Sequence, residues 1–302
     1  MEWEKPFQAH IRRLGERWVT RSNPAGAVLS ASEQSLVNRK IELLQDKGAE
    51  IKKAMVHAKV VHLEEKREDK VIDYRLQTRW LISRDDQFYV EERVEDRQAV
   101  VREAHLFTDR LIKPPLLMEE SHELTPVQKD DDGARHLRGP YNRLAAIRYA
   151  EQWWNRRNPA YLKVENDCTN YVSQCLHAGG IPMSGYPVRS RGWWYRRPGW
   201  SYSWAVANSL RWYLSRSGNV IGAVEVDRPE KLVPGDVICY DFEGDGHWNH
   251  NAFVTAKDTS GAPLVNAHTY DARLRDWAYL DSPAWTKNIQ YKFFHILDDT
   301  SK

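Results

Sequence analysis

Four stretches near the start of the chain alternate apolar and polar side chains with a period of two. They run through residues 54–63, 71–82, 88–94 and 99–107, and charged turns separate them. Strict alternation predicts β-strands with one buried and one solvated face, and short turns make such strands antiparallel neighbours. Residues 1–113 are therefore expected to form a meander of long strands, which can bury its apolar face only against helices.

The segment that precedes these strands supplies the helices. Apolar residues recur at helical spacing within residues 1–20, and serines at residues 30–32 predict the start of a second helix that ends near Gly48. A helix followed by a meander resembles the cystatin-like and NTF2-like α+β folds in architecture alone. Because one architecture serves many functions, we expect residues 1–113 to be an accessory domain.

The second half of the chain shows helical patterns first and strands afterwards. Residues 114–139 are polar, contain prolines and show no periodicity, which predicts an interdomain linker. Beyond them, residues 140–154 carry an apolar helical stripe, and the strand-like runs follow residue 235. We therefore expect a second α+β domain over residues 140–302, with helices packed on an antiparallel sheet.

Cys168 lies between helix-start residues and a helical apolar pattern. Asn166 or Asp167 can cap the helix, which places Cys168 in the first turn, where unpaired N–H groups and the helix dipole favour a thiolate. The apolar positions that follow are spaced as one buried helix face: Tyr171, Val172, Cys175 and Leu176. A thiol pKa lowered at a helix N-terminus makes a cysteine nucleophilic. Cys168 is thus a candidate catalytic residue, whereas Cys175 and Cys239 are expected in the core.

A thiol nucleophile needs an imidazole that holds its proton and a polar group that orients the ring. His250 begins a strand-like run, so its ring is expected at the end of a sheet, facing the Cys168 helix. Asn266 and His268 are two residues apart on the next strand and point to one face. A short hairpin makes the two strands neighbours, so the residues alone leave open whether Asn266 or His268 orients His250.

Several ordered motifs in this half resemble the family known as the putative amidase domain. They are Asp167-Cys168-Thr-Asn-Tyr-Val-Ser-Gln, Pro234-Gly-Asp-Val-Ile, His250-Asn-Ala-Phe-Val-Thr and Val265-Asn-Ala-His268-Thr. That family is similar to the NlpC/P60 and CHAP groups of the papain-like superfamily. The resemblance covers about residues 140–297 and implies a papain-like α+β fold that hydrolyses amides. It also implies Cys168 as nucleophile and His250 as general base and acid, and it favours Asn266 slightly as the orienting residue, with His268 lining the site.

Substrate contacts are expected close to Cys168. The Cys168 backbone N–H and one further donor would meet the oxyanion. Papain uses a glutamine before its cysteine, but residues 156–167 contain none, so Tyr161 or Asn166 would have to supply that donor. A Gly- and Pro-spaced loop flanked by arginines contains aromatic rings that either fill the core or floor a groove for sugars or peptide stems: Trp193, Trp194 and Trp200.

Composition narrows the expected partners. The net charge is +2, and the three cysteines are widely spaced with no CxxC pair. Bulk charge therefore gives no reason to expect binding to nucleic acid or an anionic membrane, and neither a metal nor another cofactor is expected. The start of the chain lacks an apolar h-region, which predicts a cytoplasmic protein. The expected partner is a small-molecule, peptide or peptidoglycan substrate.

Two other functions fit the same residues. A catalytically silent module could use the aromatic loop to hold glycan or peptidoglycan, and iodoacetamide would then label its three cysteines equally slowly. An acyl-transferring, transglutaminase-like enzyme would use the same nucleophile, and an added amine would appear in its products.

Overall fold

The structure, a computed structural model, describes residues 3–20, 28, 30–103, 105–112, 140–164 and 166–298. The chain divides into two compact units. The first comprises Met1–Lys113 with Ala278–Ala284, and the second comprises Pro114–Trp277 with Trp285–Lys302. Both units combine helices with antiparallel strands, which confirms the α+β expectation. The predicted linker at residues 114–139 lies outside the described residues. No described helix is both long and apolar enough to cross a bilayer.

In the first unit, helices precede a meander of long strands. The elements are α1 (Glu4–Thr20), α2 (Ala31–Asp46), β1 (Glu50–Lys66), β2 (Asp69–Arg84), β3 (Gln87–Arg102) and β4 (His105–Leu111). The four strands pair antiparallel in chain order, as their alternation predicts. The Ser30 side chain caps α2, and Glu33 bonds the Ser30 N–H in return, so a capping box fixes where this helix begins.

Helix α1 covers the apolar face of this meander. Phe7 and Leu14 pack in one cluster with Tyr74, and Trp18 meets the Trp80 ring edge-on at 4.9 Å. Side chains of this size each contribute roughly 1.5–3 kcal/mol when fully buried, so the helix-spaced apolar residues of α1 hold the first unit together.

The segment Ala278–Ala284 groups with the first unit, whereas the sequence predicts that it belongs to the domain over residues 140–302. Asp281 explains this placement, because it accepts a hydrogen bond from Lys40 Nζ at 3.2 Å and forms an ion pair with Arg93. An ion pair between residues so distant along the chain has no local sequence pattern, so the sequence could not indicate it.

In the second unit, helices mostly precede the sheet. The helices are α3 (Arg143–Trp153), α4 (Cys168–Ala178), α5 (Tyr202–Ala205) and α6 (Ala207–Leu214). Strands β5 (Tyr195–Arg196) and β6 (Gly199–Trp200) form a small hairpin. The main strands are β7 (Ala223–Val226), β8 (Val237–Asp241), β9 (His250–Lys257), β10 (Pro263–Ala267), β11 (Ala272–Asp276) and β12 (Gln290–Ile296). Within this unit they are antiparallel neighbours in the order β11, β10, β9, β8, β12 and β7.

Helix α4 is the centre of the second unit. Every residue from its start at Cys168 to Leu176 is buried, and its apolar side chains share one core with Phe253 of β9. Its C-terminal end requires Gly179, because a Cβ there would lie 2.3 Å from the Tyr141 ring. Cys168, the first residue of α4, therefore belongs to a helix that is packed on all sides.

Candidate active site

Cys168 lies at the N-terminus of α4, with a side chain only 4% exposed. Thr169 Oγ1 lies 3.7 Å from its sulfur. The backbone N–H of Asn251 and the hydroxyl of Thr269 also face the sulfur. Asn251 lies near the start of β9, and Thr269 follows β10, so two adjacent strands bring polar groups to the first turn of α4.

One buried polar atom at this point has no hydrogen-bond partner among the described residues. It is Oδ1 of Asn251. The other amide atom of Asn251 is fixed, because Nδ2 donates to Thr169 Oγ1 at 2.9 Å. Since buried polar atoms are nearly always paired in folded proteins, an unpaired acceptor beside a thiol that several donors face indicates a functional site.

Thr169, Asn251 and Thr269 are not among the site residues predicted from the sequence. Each directly follows a predicted site residue in the chain. Thr269 also has a backbone φ of 84°, a region that a β-branched residue rarely adopts. The available signal was therefore position beside a motif residue, and the strained backbone became visible only in the structure.

Asp167 occupies the N-cap position of α4, but its side chain makes no capping bond. Its carboxylate accepts instead from Asn170 Nδ2 at 2.7 Å, Arg157 Nε at 2.8 Å and His268 Nδ1 at 2.6 Å. The first N–H groups of an α-helix have no acceptor within the helix. Because Asp167 leaves them uncapped, they can bind a developing negative charge.

The protonation state of Cys168 differs from the sequence expectation. Burial raises the pKa of the Cys168 thiol above its ordinary value of 9.0, although the Asn251 N–H and the two threonine hydroxyls act in the opposite direction. The expected thiolate at the helix N-terminus is therefore wrong for the structure as it stands. Desolvation outweighs the helix dipole, since the sulfur is almost completely removed from water.

His250 lies on the opposite face of the sheet from α4. Side chains alternate along a strand, and the neighbouring Asn251 already points toward α4, where it bonds Thr169. The His250 ring is 5.5 Å from the Tyr240 ring and 5.9 Å from the Phe242 ring, centroid to centroid. The structure thus places the His250 backbone close to the Cys168 site, but the His250 ring lies on the other face of the sheet.

The His250 ring is neutral at physiological pH. Burial, aided by the charge of Arg275, lowers its pKa from 6.5 to about 3. A neutral imidazole can accept a proton, so the chemical state of His250 suits a general base even though the position of its ring does not.

His268 points toward α4 and is held at both ring nitrogens. Nδ1 lies 2.6 Å from Asp167 Oδ2, and Nε2 lies 2.8 Å from the Trp153 carbonyl oxygen. The ring also stacks on Tyr171 with centroids 4.0 Å apart. This arrangement fixes His268 beside the site and leaves neither nitrogen directed at the sulfur.

Asn266 is engaged away from His250. Its Oδ1 accepts from Thr255 Oγ1 at 3.0 Å and from the Leu274 N–H at 2.9 Å, and its Nδ2 donates to Glu151 Oε1 at 2.8 Å. The side chain is on the α4 face of the sheet, opposite the His250 ring. In this structure Asn266 therefore ties β10 to its neighbours and does not orient His250.

The residues predicted as oxyanion donors lie in different settings. Tyr161 packs against the rings of Tyr195 and Trp204, with centroids 4.9 and 6.0 Å apart. Asn166 is half-buried at the bend just before α4. Tyr161 thus forms part of an aromatic cluster, whereas Asn166 remains close to the uncapped helix start.

The aromatic loop is divided between core and surface. Trp193 is fully buried, 4.7 Å from the Trp204 ring centroid, and Trp194 is 3% exposed. These two rings cannot floor an open groove, so the structure corrects that expectation for them. Trp200 is half-buried, and the Arg189 guanidinium lies 5.1 Å from its ring. Of the three rings, only Trp200 stays available for a substrate contact.

The other cysteines have structural positions. Cys175 and Cys239 are fully buried, and burial raises the pKa of each thiol. No group of three or more His, Cys, Asp or Glu side chains suited to a metal ion occurs in the part of the chain that the structure describes.

The pH dependence of thiol alkylation checks this picture. We expect iodoacetamide to label all three cysteines slowly at neutral pH, and labelling to accelerate as the pH rises to about 10, because each raised pKa holds its thiol protonated at lower pH. Cys168 should react first, since it is the cysteine with residual exposure and with donors facing its sulfur. Peptide mass spectrometry would identify the labelled residue, and earlier labelling of Cys175 or Cys239 would contradict the assignment.

Comparison with known proteins adds a family match to this geometry. A family model described as "Putative amidase domain" matches residues 140–294. The chain is 44% identical over 272 residues to YhbB, an uncharacterized protein of Bacillus subtilis (strain 168), and the alignment covers 88% of each chain. It is 30% identical over 125 residues to YjcM, an uncharacterized protein of the same organism, across 39% of this chain and 28% of that one. No solved structure matches.

Proposed function

Because this chain belongs to the putative amidase domain family, we propose that it hydrolyses amide bonds through a thioester formed on Cys168. The observation that carries this proposal is the set of groups around the sulfur. An uncapped helix start, the Asn251 N–H, two threonine hydroxyls and the unpaired Asn251 amide oxygen meet at one thiol. Purely structural cysteines such as Cys175 lie among apolar side chains and need no such surroundings.

The first step would join the sulfur to the substrate. The Cys168 thiol gives its proton to a base, and the sulfur attacks the amide carbonyl carbon to form a tetrahedral oxyanion. The uncapped N–H groups at the start of α4 would stabilise that charge, and Asn166 lies close enough in sequence to contribute. The raised pKa of Cys168 means that proton removal has to accompany attack or substrate binding.

We assign His250 as the group that carries the proton. Its neutral ring can accept the thiol proton and return it to the leaving amine, which departs as the C–N bond breaks. Water then attacks the thioester, gives a proton to His250, and releases the carboxylic acid as the sulfur regains its proton. This assignment requires the backbone at the start of β9 to rearrange so that the His250 ring faces Cys168, because rotation of the side chain alone cannot move a ring to the other face of a sheet.

His268 and Asn266 would act as positioning residues. His268 holds Asp167, the residue before the nucleophile, at 2.6 Å. Asn266 joins β10 to Thr255 on β9, the strand that begins with His250. Loss of either side chain would shift the reacting groups without removing one of them.

We also propose that residues 140–302 have a papain-like fold. The proposed substrate is a peptide, for example the peptide of the cell wall. The order of a central cysteine helix followed by an antiparallel sheet supports the fold. The half-buried Trp200, with Arg189 above its ring, supports a substrate that offers a flat or anionic group. An accessory role for residues 1–113 is a further part of the proposal.

Trapping of the acyl intermediate tests the proposal directly. Incubation of the full chain with peptide amides and a cell-wall digest, followed by acid quenching, should add one acyl mass to the peptide that contains Cys168. The thioester accumulates whenever its hydrolysis is slower than its formation. Release of a free acid and an amine in equal amounts should accompany the adduct.

Two results would contradict hydrolysis through Cys168. An acyl mass on another residue would remove Cys168 as nucleophile. Efficient capture of the acyl group by an added amine, in place of water, would favour the acyl-transferring alternative.

A further inference from the structure

The stretch from the start of α4 to the start of β7 contains no carboxylate side chain. Residues 168–224 include six arginines and neither an aspartate, a glutamate nor a lysine. The net charge of the whole chain is only +2, so the chain-wide value conceals a strongly basic segment. Clustered charges of one sign create a local potential that attracts partners of the opposite charge. This segment is therefore a candidate interaction surface.

Two loops of this segment meet at one surface of the second unit. The Arg196 guanidinium lies 4.8 Å from the Tyr186 ring centroid, and the Arg189 guanidinium lies 5.1 Å from that of Trp200. Each contact joins the loop at residues 186–189 to the β5–β6 hairpin. We call the resulting surface the arginine face, and its members are Tyr186, Val188, Arg189, Arg196, Arg197 and Trp200.

The three arginines of this face form no ion pair with a carboxylate among the residues that the structure describes. Arg189 Nε donates to the Trp200 carbonyl oxygen at 3.2 Å, and Arg196 contacts the Tyr186 ring, so both partners are neutral. Other exposed guanidinium groups, such as that of Arg75, do pair with a carboxylate. The positive charge of the arginine face is therefore available to an external anion.

Buried tryptophans hold the loops of the arginine face in place. Trp194 Nε1 donates to the Val188 carbonyl oxygen at 3.1 Å, and its ring meets the Tyr186 ring edge-on at 5.1 Å. Behind it, Ser184 and Trp193 exchange two backbone hydrogen bonds of 3.0 and 2.9 Å. Because the loops are anchored in the core, the arginine face is preorganised and binding need not order it first.

Apolar side chains are exposed between the charges. Tyr186 is 53% exposed and Val188 is 47% exposed, and Pro187 and Pro198 also lie at the surface. A soluble polyanion would contact the guanidinium groups and leave the valine and the prolines uncovered. The Tyr186 and Trp200 rings each already have a guanidinium above them, so stacking of bases or sugars would have to displace it. Apolar tips interleaved with cations are typical of surfaces that lie in a membrane interface.

We propose that the arginine face binds the surface of an anionic lipid bilayer. The guanidinium groups would bind lipid phosphates, for which their planar fork is suited, while Tyr186, Val188 and Pro198 enter the headgroup region. Each arginine near an anionic surface raises partitioning about fivefold, so three of them give reversible attachment that depends on salt. The proposal is independent of the proposed amide hydrolysis, which uses none of these side chains except Trp200.

Co-sedimentation of the full chain with lipid vesicles tests the proposal. Vesicles of phosphatidylcholine alone are compared with vesicles that also contain phosphatidylglycerol, at physiological ionic strength. The partition coefficient should be at least about tenfold higher for the anionic vesicles. It should fall as sodium chloride is added, because salt screens charges at an exposed surface.

The double variant Arg196→Gln, Arg197→Gln removes two charges from the arginine face. Both side chains are exposed, so the fold should persist. Its partition coefficient for the anionic vesicles should fall by at least about tenfold. The matched control is Arg228→Gln, Lys287→Gln, which removes two exposed charges from other loops of the same unit. The control should stay within about twofold of the parent, since only charges close to the bilayer contribute.

Val188→Ser tests the apolar part of the contact. Loss of a half-exposed valine side chain should lower the partition coefficient for anionic vesicles by about threefold or more. Binding of inorganic polyphosphate, a soluble polyanion without an apolar phase, should be the same in Val188→Ser as in the parent.

Three results would overturn the proposal. Equal binding to neutral and anionic vesicles would remove the role of the arginines, and an equal loss in the control variant would remove the role of this face. Binding of polyphosphate without binding of vesicles would identify the arginine face as a site for a soluble polyanion instead.

Discussion

Cys168→Ala is expected to abolish amide hydrolysis, with a loss on the order of a thousandfold or more in kcat, since the proposed thioester forms on the Cys168 sulfur. The fold should persist, because the substitution removes one sulfur at the first residue of α4 and leaves the apolar positions of that helix unchanged. Turnover of a peptide amide and the urea unfolding midpoint, measured on the same preparation, check both parts.

Cys239→Ala is the matched control for that variant. Cys239 lies on the adjacent strand β8 and is buried in the same core, so its truncation costs packing but should leave kcat largely unchanged. If Cys168→Ala retained the activity of the parent, Cys168 would not be the nucleophile and the thioester mechanism would be excluded.

His250→Gln is expected to reduce kcat by about 10²–10⁴, the usual contribution of a general acid–base residue. The reason is that glutamine cannot carry the thiol proton to the leaving amine. His268→Gln should act differently. The His268 ring bonds both the Asp167 carboxylate and the Trp153 carbonyl oxygen, and the substitution removes one of these two bonds. We expect it to cost about 1–3 kcal/mol of unfolding free energy, as the loss of partners for buried polar groups does.

The pH dependence of stability separates these histidines further. The folded-state pKa of His250 is depressed from 6.5 to about 3, so the unfolded chain binds the extra proton first. His250 therefore contributes stability that is present above pH 6.5 and is lost as the pH falls toward 3. His250→Gln should make stability less sensitive to acid in that range. If His268→Gln lost turnover with unchanged stability while His250→Gln remained active, His268 would be the base.

Much of the second unit could be predicted from local sequence. The helix that begins at Cys168, the strand that begins at His250 and the strand through Asn266 are present where periodicity places them. The antiparallel pairing of β9 with β10 also follows from the short hairpin between them. These features depend on residues close together in the chain, for which spacing is a direct signal.

The directions of the site side chains could not be predicted in the same way. His250 occupies the start of β9, but a strand presents alternate residues to opposite faces, and a displacement of one residue exchanges them. The structure directs Asn251 to α4 and the His250 ring to the other face. It likewise directs the Asp167 carboxylate to His268 and away from the helix N–H groups.

The sequence by itself determined which segments become helices and strands, and which thiol stands at a helix start, because hydrophobic period and capping residues are local properties. The tertiary structure alone decided that this thiol is protonated, that Trp193 and Trp194 are core, and that Ala278–Ala284 packs with the first unit. Burial and long-range pairing set those outcomes, and both depend on neighbours that lie far away along the chain.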